Sequence, residues 1–210
     1  MVIFLAGAVP LAFSIVAFGY SKNTFSVADL GQRAARGFFS FIISFVVYLL
    51  LRPVVQLDYT FAGIYRYYLA HHNLYFVFWC VVTYLVYYKV PHTDTPWAES
   101  TLILAYFTAF YTLLAVGEIL LNVKEITAYI LFLLPLSRIG VILISVAALL
   151  FARRMYIVLR YALLLVPFAA SAVAAFVPVL YTLRHVTASV LLAVALLFLG
   201  GFLYVLADRK

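Results

Sequence analysis

Uncharged apolar runs long enough to cross a bilayer recur along almost the whole of this sequence, and no other feature limits its fold as strongly. A segment surrounded by lipid must satisfy its backbone N–H and C=O groups internally, so it is either an α-helix or a strand of a closed barrel. Barrel strands read as short stretches alternating apolar and polar residues. The runs here are continuous instead, which predicts helices. Composition agrees: the chain is 68% hydrophobic and 10% charged, with a mean hydropathy of +1.16. A soluble domain of 210 residues needs far more polar side chains to cover its surface.

The runs and the turn signals between them predict one all-α membrane domain over 1–210, a bundle of seven transmembrane helices with approximate spans 2–20, 37–56, 74–90, 100–121, 126–152, 155–181 and 186–206. The first run lacks the basic leader and small-residue cleavage site of a signal peptide, so it is read as an uncleaved helix. Lys22, Arg33, Arg36, Lys89, Arg153, Arg154, Arg160, Arg209 and Lys210 then fall on one side, and Arg66, Lys124 and Arg184 on the other, with Arg52 near that second surface. The excess of cytoplasmic Lys and Arg in membrane proteins puts the first group inside, the N-terminus outside and the C-terminus in the cytoplasm. The net charge of +7 is thus a topology signal and an attraction to anionic lipid at the cytoplasmic face rather than a nucleic-acid footprint. No organelle-targeting segment is evident, which points to a bacterial inner membrane.

Residues 57–73 read as the longest loop. Tyr59, Phe61, Tyr65, Tyr67 and Tyr68 surround Arg66, His71 and His72, a composition suited to a short helix lying at the headgroup level. Residues 122–125 read as a tight turn, making the fourth and fifth spans an antiparallel hairpin of neighbours.

Arg138 stands out within the fifth span, where Pro135, Ser137, Arg138 and Gly140 interrupt an otherwise apolar run. It lies roughly 18 Å from the preceding loop at about 1.5 Å of rise per residue, near mid-membrane. A lone charge there costs roughly 2.5–3.5 kcal/mol on insertion scales, so it requires a partner or water. Glu118, near the end of the fourth span, sits on the other arm of the hairpin. Thr108, Tyr111, Ala115 and Glu118 share one helix face by three- and four-residue spacing, and Leu131, Pro135, Arg138 and Ser145 share another. The candidate site is therefore Arg138, Glu118, Tyr111 and Ser145, with Arg52 as an outlying member or a snorkelling anchor. Three readings stay open. Glu118 and Arg138 neutralise each other and fix packing, or they line a cavity that selects an anionic or polar solute, or Arg138 binds carbonyls freed by Pro135.

Other chemistry finds little support. His71, His72, His92 and His185 avoid the middles of the predicted spans and show no metal-ligand spacing, and the single Cys80 excludes an internal disulfide or a CxxC motif. No paired intramembrane aspartates, HExxH or GxSxG sequence occurs, so no catalytic residue, metal or cofactor is assigned. Small residues in the sixth span, including Ala170 with Ala174 and Ser171 with Ala175 at four-residue spacing, predict close approach of another helix, from this chain or from a protein partner or second copy. Gly200 and Gly201 read the same way, and Pro167 and Pro178 should bend the sixth span. These features suggest a small solute transporter or the substrate-binding membrane subunit of one. The alternative is a receptor or assembly subunit that docks a partner through its basic loops.

Overall fold

A computed structural model describes residues 27–50, 58–87, 96–121 and 129–208. All regular structure in these residues is helical, and four helical stretches are long and apolar enough to cross a membrane: Gly31–Leu50, Tyr129–Ala152, Tyr161–Thr182 and Val186–Ala207. In chain order the elements are α1 (Val27–Leu50), α2 (Phe61–Tyr68), a π-helical turn π1 (Leu69–Leu74), α3 (Tyr75–Tyr87), α4 (Pro96–Leu121), a second π-turn π2 (Tyr129–Leu133), α5 (Leu134–Arg154), α6 (Ile157–Leu163), α7 (Val166–Ala174), α8 (Phe176–Thr182) and α9 (Val186–Asp208). The predicted span at 2–20 and the turn at 122–125 lie outside the described residues.

The π2–α5 segment is the hub. Buried residues make up 83% of its apolar window, against 22% for the windows in α1 and α9. It is apolar on nearly every side, as a helix enclosed by others must be. Its partners are α9, α4, α7 and α6, while α1 lies on the far side of α4. Phe39, Ile42, Val46 and Leu49 on α1 and Leu191, Phe198 and Phe202 on α9 point outward. Such stripes would promote association in water and are the natural lipid-facing surface of a membrane bundle.

Two crossings depend on glycine. A Cβ on Gly140 of α5 would lie 2.7 Å from the Leu196 carbonyl carbon of α9, and one on Gly200 would lie 2.7 Å from the Gly140 oxygen. The two backbones touch where both side chains are hydrogen. Gly37 plays the same part for α1, resting on the backbone of Tyr106 in α4, whereas Gly201 faces open space. Close approach through small residues is the usual substitute for hydrophobic driving force between helices in lipid. The alanines of α7 follow this rule inside the chain: Ala170, Ser171, Ala174 and Ala175 are buried, and α7 meets α5 and π1.

Prolines decide where the axes break. Each proline lacks an N–H and its ring crowds the carbonyl four residues earlier. Those residues are Leu163 for Pro167 and Ala174 for Pro178, the last residues of α6 and α7. The sixth span expected as one bent helix over 155–181 is therefore three short helices. Pro135 has its corresponding carbonyl at Leu131, inside π2, where a wider turn accommodates the ring.

The short helix expected within the aromatic segment is present as α2, and the rest of the segment is helical too. Residues 61–73 are helical and run through π1 into α3 without a break. Thr60 caps the start, its hydroxyl accepting from the Gly63 N–H at 3.1 Å and donating to Asp58 at 2.8 Å. The polar stretch is thus the first half of one continuous helical stretch over 61–87, and His71 is buried. At the other end, α8 joins α9 through Arg184 in the left-handed region at φ 63°. The Arg184 N–H donates to the Tyr181 carbonyl and the His185 N–H to that of Leu180, the paired bonds of a Schellman stop.

Candidate functional site

Arg138 sits in the second turn of α5, roughly 14 Å from the Tyr129 end of its span at about 1.5 Å per residue. It is only 4% exposed and is the one Arg, Lys, Asp or Glu side chain found buried among the described residues. Across the α4–α5 contact its guanidinium carbon lies 5.7 Å from the centre of the Tyr111 ring. A cation over an aromatic face gains on the order of 0.5–2 kcal/mol. This is less than a charge at mid-membrane costs, and further contacts of the guanidinium add to it.

Tyr111 is 1% exposed, and its hydroxyl has no hydrogen-bond partner among the described residues. Leaving a buried polar group unsatisfied costs roughly 1–3 kcal/mol. The site thus contains a buried cation and, beside it, a buried hydroxyl with no hydrogen-bond partner among the described residues. Arg138 and Tyr111 are flanked in sequence by buried apolar residues of the core, Phe110 and Leu114 on α4 and Ile139 and Ile142 on α5; the Phe110 ring packs edge-on against Phe41 of α1, and the Phe107 ring packs against Tyr84 of α3.

The other expected members fall in different places. Ser145 is buried two turns beyond Arg138 on the same helix, but its hydroxyl donates to the Val141 carbonyl at 2.7 Å, a bond within α5. Ser137 likewise donates to Leu134, at 2.9 Å. Glu118 occupies the register position two turns after Tyr111 on α4, on the face that buries Thr108, Tyr111 and Ala115; its side chain lies outside the described residues. Arg52 lies outside them altogether. Of the expected set, the structure brings together Arg138 and Tyr111.

A second polar cluster was not anticipated. Tyr48 of α1 shares a hydrogen bond of 2.9 Å with His71 Nδ1 in π1, the Tyr67 ring lies 4.6 Å from the imidazole, and Tyr75 donates to the Ser44 carbonyl at 3.4 Å. Asn73 is buried in the same turn, and Tyr65 of α2 donates to the Ala172 carbonyl of α7 while stacking on Phe176. The cluster ties the π1 turn to α1 and α2 to α7. Its sequence signal was an absence: from Ile64 to Val90 neither Gly nor Pro interrupts the chain, so nothing breaks a helix there. Among the described residues, no three His, Cys, Asp or Glu side chains are grouped to hold a metal ion.

Fold and composition define the class as a helical protein whose long apolar helices suit a membrane. Compared with known proteins, the chain matches no family model, no curated protein and no solved structure.

Proposed function

We propose that this chain is a small polytopic membrane protein that binds a polar or anionic solute within its bundle, as a transporter or as the substrate-binding membrane subunit of one. The observation that carries the reading is Arg138, a charge enclosed in the most buried span of the molecule and set against Tyr111 of the neighbouring helix. Burying a cation at mid-membrane is costly, and charges kept there commonly mark a solute or ion path. The broken segment α6–α7–α8 beside α5 supports the same reading, because short helices joined at prolines can shift relative to a fixed hub. In this reading the chain has seven spans, with the N-terminus outside and the C-terminus in the cytoplasm of a bacterial inner membrane, and its basic inner loops rest on anionic lipid.

The enclosure of Arg138, and the bonds of Ser137 and Ser145 to their own helix, favour a second reading in which the site is sealed and the chain is a receptor or assembly subunit. Native mass spectrometry of the protein purified in mild detergent separates the two. A transporter releases a small polar molecule on activation in the gas phase, and Arg138→Gln loses it. A stoichiometric protein partner with an empty bundle contradicts the transporter reading.

A further inference from the structure

The connection between α5 and α6 joins two apolar stretches that are each long enough to cross a membrane, Tyr129–Ala152 and Tyr161–Thr182. Residues 153–160 therefore fall where the chain turns at a membrane surface. Arg153, Arg154 and Arg160 lie in this short stretch, and no Asp or Glu occurs from Ile126 to Ala207, so its charge along the chain is of one sign. The backbone leaves α5 through an extended Met155 and resumes as α6. Tyr156, Val158 and Tyr161 are 91%, 83% and 66% exposed, and the main neighbour of α6 among the described elements is α5. By helical spacing the exposed Val158, Leu159, Tyr161 and Ala162 occupy one half of α6, and Arg160 holds a register position in the other half. Water is a poor neighbour for the apolar half, and the hydrocarbon core is a poor one for the arginines. The headgroup boundary of an anionic leaflet suits both, and it is also where tyrosine collects. Guanidinium groups match phosphate oxygens in geometry as well as in charge. We infer that the α5–α6 connection is a docking surface for anionic phospholipid, with the apolar half of α6 among the acyl chains and the three arginines supplying the attraction to the headgroups. This inference rests on the membrane reading above, is independent of the solute site, and names the segment that selects the lipid.

The test uses the full chain with Cys80→Ala and a bimane fluorophore on Val158→Cys, reconstituted in phosphatidylcholine vesicles that contain a fixed minor share of phosphatidylglycerol. In one preparation the phosphatidylglycerol carries bromine on its acyl chains; in the other an equal amount of the phosphatidylcholine does. A second reporter on Phe198→Cys, at an exposed position of α9, shows whether the bundle is in lipid at all. Brominated phosphatidylglycerol quenches the reporter at 158 about two- to threefold more than the same amount of brominated phosphatidylcholine, and raising the salt concentration narrows the difference. The two lipids quench the reporter at 198 alike. Changing Arg153, Arg154 and Arg160 together to Gln abolishes the preference at 158 and leaves quenching at 198 intact, which shows that the variant is still inserted. Equal quenching at 158 by the two lipids overturns the selection of anionic lipid. A preference that survives the three Gln changes overturns the role of the arginines. Quenching at 198 with none at 158 overturns the docking surface, gives α6 to a protein partner or a second copy, and leaves the membrane reading standing. Quenching at neither position overturns both.

Discussion

Arg138 is the residue on which the account turns, and its position near mid-span was legible in the sequence because an apolar run makes any charge conspicuous. Its neighbour was legible in part. The spacing put Tyr111 on the same face of the fourth span as Glu118, and the structure confirms that Tyr111 is buried on the face toward α5. Periodicity cannot show that a hydroxyl lacks a partner, since that depends on what every surrounding helix presents. Two residue-scale outcomes follow. Arg138→Ala lowers the unfolding temperature, and adding Glu118→Ala restores part of the loss if the two side chains pair; strictly additive losses in the double-mutant cycle rule the pairing out. Arg184 is the other informative residue. Its left-handed backbone costs a side-chain-bearing residue roughly 1–2 kcal/mol, so Arg184→Gly should raise stability by a substantial part of that, measured by denaturation in detergent. A decrease would mean that the Arg184 side chain contributes more than its backbone strain costs.

At the level of elements, sequence patterns located helices well and their interruptions less well. The prolines at 135, 167 and 178 announced irregularity, but not its form: a π-turn absorbs the first, and the helix ends four residues before each of the others. The tyrosine-rich stretch before α3 reads as a short helix, and α2 is one, but its unbroken continuation through π1 into α3 was not legible, for a physical reason. Tyr, His and Asn suit the headgroup region in composition, but they also suit a helix that pairs its polar groups internally, as Tyr48 and His71 do across α1 and π1. Tyr48→Phe should therefore cost about 1 kcal/mol, or more if His71 is left unsatisfied, and loosen π1 in hydrogen-exchange measurements; an unchanged exchange rate would show that the bond does not hold the turn. The α5–α9 crossing gives a sharper contrast. Gly140→Ala and Gly200→Ala force backbone into backbone and should each cost about 1–3 kcal/mol, whereas Gly201→Ala, with nothing within 4 Å of its new methyl, should be neutral or slightly stabilising. Equal effects at Gly200 and Gly201 would contradict the close crossing described here.

At the largest scale, the described residues form a hub helix packed against α4, α6, α7 and α9, with the outward surface apolar on α1 and α9. That class was legible from composition alone, because lipid admits few alternatives to a helix for a long apolar run. The central place of π2–α5 was less so: the window of α9 is more hydropathic than that of Tyr129–Ala152, yet far less of it is buried. Hydropathy reports compatibility with lipid, while burial depends on which helix the small residues bring into contact. The central claim, that the enclosed charge marks a solute site and not a sealed strut, is tested most directly by access. Ser145→Cys, placed two turns from Arg138 in a chain whose own Cys80 is changed to Ala, can be challenged with a membrane-impermeant thiol reagent from each side of sealed vesicles. A transporter predicts labelling from either side. A thiol that stays unreactive from both sides in folded protein would contradict the account and make Arg138 a structural residue.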